Sequence, residues 1–324
     1  MKVRSMGIVA ILVVSGCGQA DDPEATETTA ALTSSARPPG VPADYVFAPG
    51  GWSHPSCIHE VPSGATIDAD RGDVLVDGKV IAHYDPCPYQ SFPAHRHDVP
   101  GGSASGPSSY GGWIEDTEQT VPAGQSQWGV LQDIMDVPSN PTQTTPQTVY
   151  FFPGLTSSLD ADCGILQPVL QWGTSPAGGG AFWSIGSWWW SNSHQFHSGL
   201  TQMFAGDEIQ STMGHFSTGW LSQAHDRTRS VTDQKITVNT ACRFNQAFPA
   251  VLEVDTAHPF SNCSQMPASG FMAFTNIALG VGTGTFTTVT YAPNNQFPIP
   301  GTAPQCGWNI GSILTAPPST FLYF

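Results

Sequence analysis

Two short segments carry residues able to activate water. In Ile165-Leu166-Gln167-Pro168-Val169-Leu170-Gln171-Trp172-Gly173, strand periodicity puts Leu166, Leu170 and Trp172 on one face and Gln167, Val169 and Gln171 on the other. In Pro249-Ala250-Val251-Leu252-Glu253-Val254-Asp255, Leu252 and Val254 point one way while Glu253 shares its face with Val251. A carboxyl in an apolar strand with no Lys or Arg within five positions is the type that burial tunes toward acid–base work. A side-chain amide is the type that orients water and donates to a developing oxyanion.

Other chemistries are less well supplied. Trp183, Trp188, Trp189 and Trp190 lie close together, and strand alternation puts Trp188 and Trp190 on one side with Trp189 on the other. One such face belongs to a core and the other can floor a groove, stacking on sugar rings or peptide side chains. His54, His59, His83, His95, His97, His194 and His197 invite a metal, yet no acidic ligand stands at a zincin spacing, so no metal or other cofactor is expected. No Gly-x-Ser-x-Gly elbow is present.

The elements that position these residues read as strands. Runs rich in Val, Ile, Thr, Trp and Phe recur between Gly, Pro, Asn and Asp: 148–152, 165–172, 181–190, 206–213, 230–237, 250–254, 270–277 and 285–291. None of that region carries an apolar stripe of helical length, so the expectation is an all-β sandwich or jelly roll over 113–324. Upstream, Asp77-Gly78 between 73–76 and 79–82 predicts a hairpin within a small region, 45–100, bracketed by Cys57 and Cys87. Gly101 to Gly112 (GGSASGPSSYGG) reads as a flexible linker, and the preceding region reads either as a propeptide over the groove or as a permanent accessory hairpin.

Compartment follows from the N-terminus and the composition. Lys2 and Arg4 precede the apolar run Gly7–Val14, and Val14-Ser15-Gly16-Cys17 resembles a bacterial lipobox, so 1–17 is expected to be a signal peptide with Cys17 lipidated. Residues 18–44 then form an acidic, disordered tether. The expected location is extracytoplasmic, lipid-anchored to a bacterial membrane at the outer membrane or cell surface, with release from it an option, and the expected state is a monomer. Of 324 residues only 11% are charged, with three Lys and a net charge of −15. The missing basic clusters argue against nucleic acid. Cys57, Cys87, Cys163, Cys242, Cys263 and Cys306 make an even set with no CxxC spacing, which reads as three disulfides of open connectivity.

Several landmarks taken together resemble the glutamic peptidases called eqolisins. In order they are Phe152-Pro153-Gly154-Leu155, Cys163, Ile165-Leu166-Gln167, the GGAFWSIGSW run from Gly179 to Trp188, Gly206-Asp207-Glu208-Ile209, Cys242, and Ala250 to Asp255. The chain also resembles a broader group of secreted fungal and bacterial proteins sharing an ILQPVLQWG-like segment. The resemblance implies a concanavalin-like antiparallel sandwich, Gln167 and Glu253 as a catalytic dyad acting through an activated water at acidic pH, and polypeptide substrates. Gln171, Trp188 and Trp190 become substrate-groove candidates. It also implies a Cys163–Cys242 bond, with Cys57–Cys87 and Cys263–Cys306 as the remaining pairs. Ser187 and Pro249 stand where the family carries carboxylates. The alternative function is a non-enzymatic sandwich binding carbohydrate or a cell surface.

Overall fold

The computed structural model describes residues 37–38, 40–94, 112–144, 147–230, 233–255, 263–296, 306–314 and 316–324. The signal peptide with Cys17, most of the tether, the linker up to Gly112, and His95 and His97 lie outside them. Strands in the N-terminal part are β1 (Val46–Ala48), β2 (Gly51–Ser53), β3 (Ile58–Val61), β4 (Thr66–Asp68), β5 (Asp73–Val76), β6 (Lys79–His83) and β7 (Phe92–Pro93). Next come β8 (Trp113–Thr120), β9 (Val130–Asp136), β10 (Val149–Thr156), β11 (Ile165–Ser175), β12 (Gly178–Trp190), β13 (Gln195–Ser198) and β14 (Thr201–Met203). They are followed by β15 (Glu208–Phe216), β16 (Gly219–Asp226), β17 (Gln234–Asn239), β18 (Gln246–Val254) and β19 (Phe271–Val281). The last four are β20 (Thr287–Val289), β21 (Asn294–Gln296), β22 (Asn309–Ile313) and β23 (Ser319–Tyr323).

These strands form the expected all-β, predominantly antiparallel sandwich. One sheet runs β21-β8-β18-β10-β11-β12-β13-β3, with β14 on β12; the facing sheet runs β22-β23-β19-β9-β15-β16-β17-β4-β5-β6, with β20 on β19. Between them lies the main core, into which Leu166, Leu170, Trp172, Trp189 and Leu252 point. Alternation explains each of these positions, because every second side chain of a strand buries on the same side.

A third layer departs from the sequence reading. Strands β1, β2 and β7 form a small sheet of their own. It covers the outer face of the first sheet through a second apolar core that joins Phe47, Trp52 and Phe92 to Tyr150, Val169, Trp188, Trp190 and Val251. The hairpin predicted at Asp77-Gly78 is present as β5–β6, with Val76 opposite Lys79. It is no free-standing appendage, since β3 adds in parallel to β13 and β4 adds in parallel to β17, extending both sheets. Ordered packing also begins before Tyr45: Val41 is buried, and the Arg37 guanidinium donates to the carbonyls of Pro42 and Tyr45 and lies over the Trp52 ring.

The six described cysteines pair as the resemblance implied, Cys57–Cys87, Cys163–Cys242 and Cys263–Cys306. Three disulfides are consistent with an oxidising, extracytoplasmic compartment. No helix among the described residues is long and apolar enough to cross a membrane.

Candidate active site

Strand β10 lies between the two segments that carry the candidate residues. Tyr150 on β10 faces Glu253 on one side and Gln171 on the other, and the same row continues to Trp113 and to Ser184. All these positions share the outer face beneath the small sheet. Gln171 and Glu253 therefore stand two strand spacings apart, about 10 Å between their Cα atoms.

Gln167 is on the same face but in another row. The β10–β11 register is unbroken from Phe151↔Leu170 to Leu155↔Leu166, which puts Gln167 opposite Gly154, four residues along β10 from Tyr150. That offset is roughly 13 Å at the usual strand rise. Its neighbours across β12 and β13 are Trp188 and His197. The structure thus brings Gln171 and Glu253 together around Tyr150 and leaves Gln167 beside Trp188. Prolines help set this geometry. The register of β10 against β18 shifts between Phe152 and Gly154, at Pro153, and that of β18 against β8 shifts between Ala247 and Ala250, across Pro249. Proline has no N–H to offer the ladder.

Glu253 is wholly buried, and its Oε2 accepts a hydrogen bond from the Gly50 N–H at 3.1 Å. Burial pushes its pKa well above the ordinary carboxyl range. The Gly50 N–H offsets part of that rise, Asp255 adds to it by like charge, and the Trp113 indole opposes it. Gly50 has φ of +101°, and a Cβ there would lie 3.2 Å from Ile165 Cγ2 and 3.3 Å from Trp190 Cγ. Only glycine brings a backbone N–H this close to the carboxyl without strain.

The two amides differ in what occupies them. Gln171 Nε2 donates to the Gly173 and Gly178 carbonyls, at 2.8 and 2.9 Å, which ties it into the turn joining β11 to β12. Gln167 is wholly buried with neither amide atom hydrogen-bonded. Gln195, on β13, is in the same condition. Both groove tryptophans, Trp188 and Trp190, are buried under the small sheet; the Trp190 indole donates to Ser53. The expected open groove is therefore closed by residues 41–94.

Ser187 faces the other way. Its hydroxyl donates to the Gln234 carbonyl of the opposite sheet, so a carboxylate at that position would not reach the Glu253 face. Pro249 sits buried at the β18 irregularity.

Sequence reasoning missed Asp116, Tyr150 and Asp255. Asp255 was legible, since strand periodicity puts residue 255 on the side of 253. Asp116 faces Val251 and so shares the Glu253 face; burial, with a contribution from Glu118, raises its pKa to about 8. Nothing in Trp113-Ile114-Glu115-Asp116-Thr117 marks it as a buried strand. The histidines are used in ring stacks and ion pairs: His54 stacks on Tyr89, His59 on Tyr84, and His83 pairs with Asp73. Among the described residues no three His, Cys, Asp or Glu side chains converge as a metal-binding group.

This is a two-sheet β-sandwich with a buried acid–base candidate under a third layer. No protein-family model and no curated protein sequence matches the chain. Among solved structures it is similar to scytalido-glutamic peptidase bound to a peptide-based transition-state analogue, at 13% identity and a TM-score of 0.43, covering 66% of this chain and 98% of that one. It is also similar to SCP-B, a member of the eqolisin family, in complex with the tripeptide Ala-Ile-His, at 12% identity and a TM-score of 0.41 over the same shares. Likeness at this level does not bear on the reaction or on the site residues.

Proposed function

We propose that this chain is an extracytoplasmic endopeptidase of the glutamic type, anchored through Cys17, with Glu253 as its acid–base group and its own N-terminal segment as a cover that keeps it latent. The observation that carries the reading is the state of Glu253. A fully buried carboxyl with a raised pKa stands on a sheet face that, among the described residues, β1, β2 and β7 cover, and one backbone N–H from that covering occupies its oxygen.

With the cover displaced, the Glu253 carboxylate takes a proton from a water attacking the scissile carbonyl and passes it to the leaving amine. The amide partner donates to the oxyanion, an effect of about 3 kcal/mol for one donor. Gln167 has its amide free and Gln171 has the shorter span to Glu253, so the two compete for this role. Replacing each by Ala separates them, because only the true donor lowers kcat without a matching change in KM.

The decisive measurement is casein cleavage at about pH 3–5, where a cycling carboxyl acts as both acid and base. The full chain is expected to cleave, and Glu253→Gln to lose activity while keeping its fold and disulfides. Unchanged cleavage by that variant overturns the assignment. A non-enzymatic sandwich that binds carbohydrate or a cell surface is the second reading, favoured by the offset between Gln167 and Glu253. Absence of cleavage once the cover is displaced supports it.

A further inference from the structure

The covering segment meets the sandwich at a histidine cluster that the reaction does not use. Its two arms, 41–57 and 87–94, are joined by Cys57–Cys87. The first arm runs directly into β3, where His59 faces Phe196 of β13. The second arm is held where the Cys87 N–H donates to the Ser193 carbonyl, beside His194. Rings fill the junction: Tyr84 stacks on His59 at 3.9 Å, Phe196 lies 5.6 Å from each of them, and His194 lies 5.7 Å from Phe196. His194 is buried, and its Nδ1 has no hydrogen-bond partner. On the opposite face of β13, His197 packs on Trp188 at 4.6 Å, next to Gln167 in register.

We propose that this junction is an acid-sensitive latch: proton uptake by His59, His194 and His197 loosens β3 from β13 and frees both arms from the Glu253 face.

The charges around the cluster set the sign. His59 is lowered first by burial and then by the charges of His194 and His197; His194 is lowered by burial and by His83. His197 is lowered by burial, with the Ser198 carbonyl and Glu60 opposing. His83 is raised, chiefly by its hydrogen bond to Asp73 and further by Asp85, so it stays cationic beside His194 as pH falls. Among the described residues neither His59 nor His194 has a carboxylate ion-pair partner. The closed state thus binds fewer of these protons than the open one. Closure is fully supported above the ordinary histidine pKa and weakens as pH falls through the lowered values. Glu253 pulls the other way, since its raised pKa favours the covered state in acid; its replacement removes that opposition.

This inference rests on the proposed latency for its role in catalysis, but it is read without any substrate. Amide hydrogen exchange of the full chain, corrected for intrinsic rates, is followed from about pH 7.5 to 5. Protection of residues 46–61 is expected to fall about tenfold. The fall should shrink in His59→Phe/His194→Phe, which leaves His197 in place, and grow in Glu253→Gln. Where the double variant fails to fold, the exposed His83→Ala serves: it removes the repulsion on His194 and should shrink the change. A segment that stays pH-independent in Glu253→Gln, or an equal fall in the His59/His194 or His83 variants, overturns the latch, whatever the protease assay shows.

Discussion

At the scale of single residues, Gln167 is the most informative side chain. An amide buried without partners costs about 1–3 kcal/mol relative to one that is paired. Nothing in the closed fold repays that cost at Gln167, whose two amide atoms are both free of hydrogen bonds. Gln167→Met keeps the side-chain length and removes the polar atoms. It is expected to raise unfolding free energy by about 1 kcal/mol in urea denaturation, with loss of whatever activity the amide supports. A comparable loss of stability would instead assign Gln167 a structural partner. Gln171 should behave oppositely, because its amide closes the β11–β12 turn through Gly173 and Gly178.

Among the elements, the two arms decide access to the site. Cys57 and Cys87 are 30 residues apart, and a crosslink of that span stabilises by about 3–4 kcal/mol through the unfolded state. Cys57→Ser/Cys87→Ser should therefore loosen the arms first. Limited proteolysis is expected to cut within 41–94 while β8 to β23 remain protected; simultaneous cutting of both regions would mean that the arms are no separate unit of opening. The alternation of β11 and β18 was legible in the sequence down to which side chains share a face, but not that the face of Gln167 and Gln171 lies under a second core. The short arms were not, because a three-residue strand such as β1 or β2 carries too little periodicity to read.

For the whole molecule, buried carboxyls set the pH response. Glu115 and Asp116 are both raised to about 8, each mainly by burial. The folded chain keeps these protons at a pH where the unfolded chain has released them, so stability is greatest below the ordinary carboxyl range and falls as pH rises toward 8. The midpoint of thermal unfolding is expected to drop by at least about 5 °C between pH 4 and 8, in calorimetry at constant ionic strength. A midpoint that rises over this range would contradict the burial of these groups. The net charge of −15 adds self-repulsion in the same direction at neutral pH. Acid should thus firm the sandwich while it loosens the arms, and the two measurements separate these effects.

The sequence by itself determined the all-β class and the inward and outward faces of β11 and β18, because periodicity and turn chemistry are local. It also nominated Glu253 as a carboxyl among apolar strand residues. Tertiary structure alone decided which row each residue occupies, since the register is set by strands that distant segments bring together: Tyr150 pairs with Gln171 on one side and with Glu253 on the other. It also decided that the Glu253 face is covered, because the N–H that reaches the carboxyl belongs to Gly50, 203 residues away in the chain.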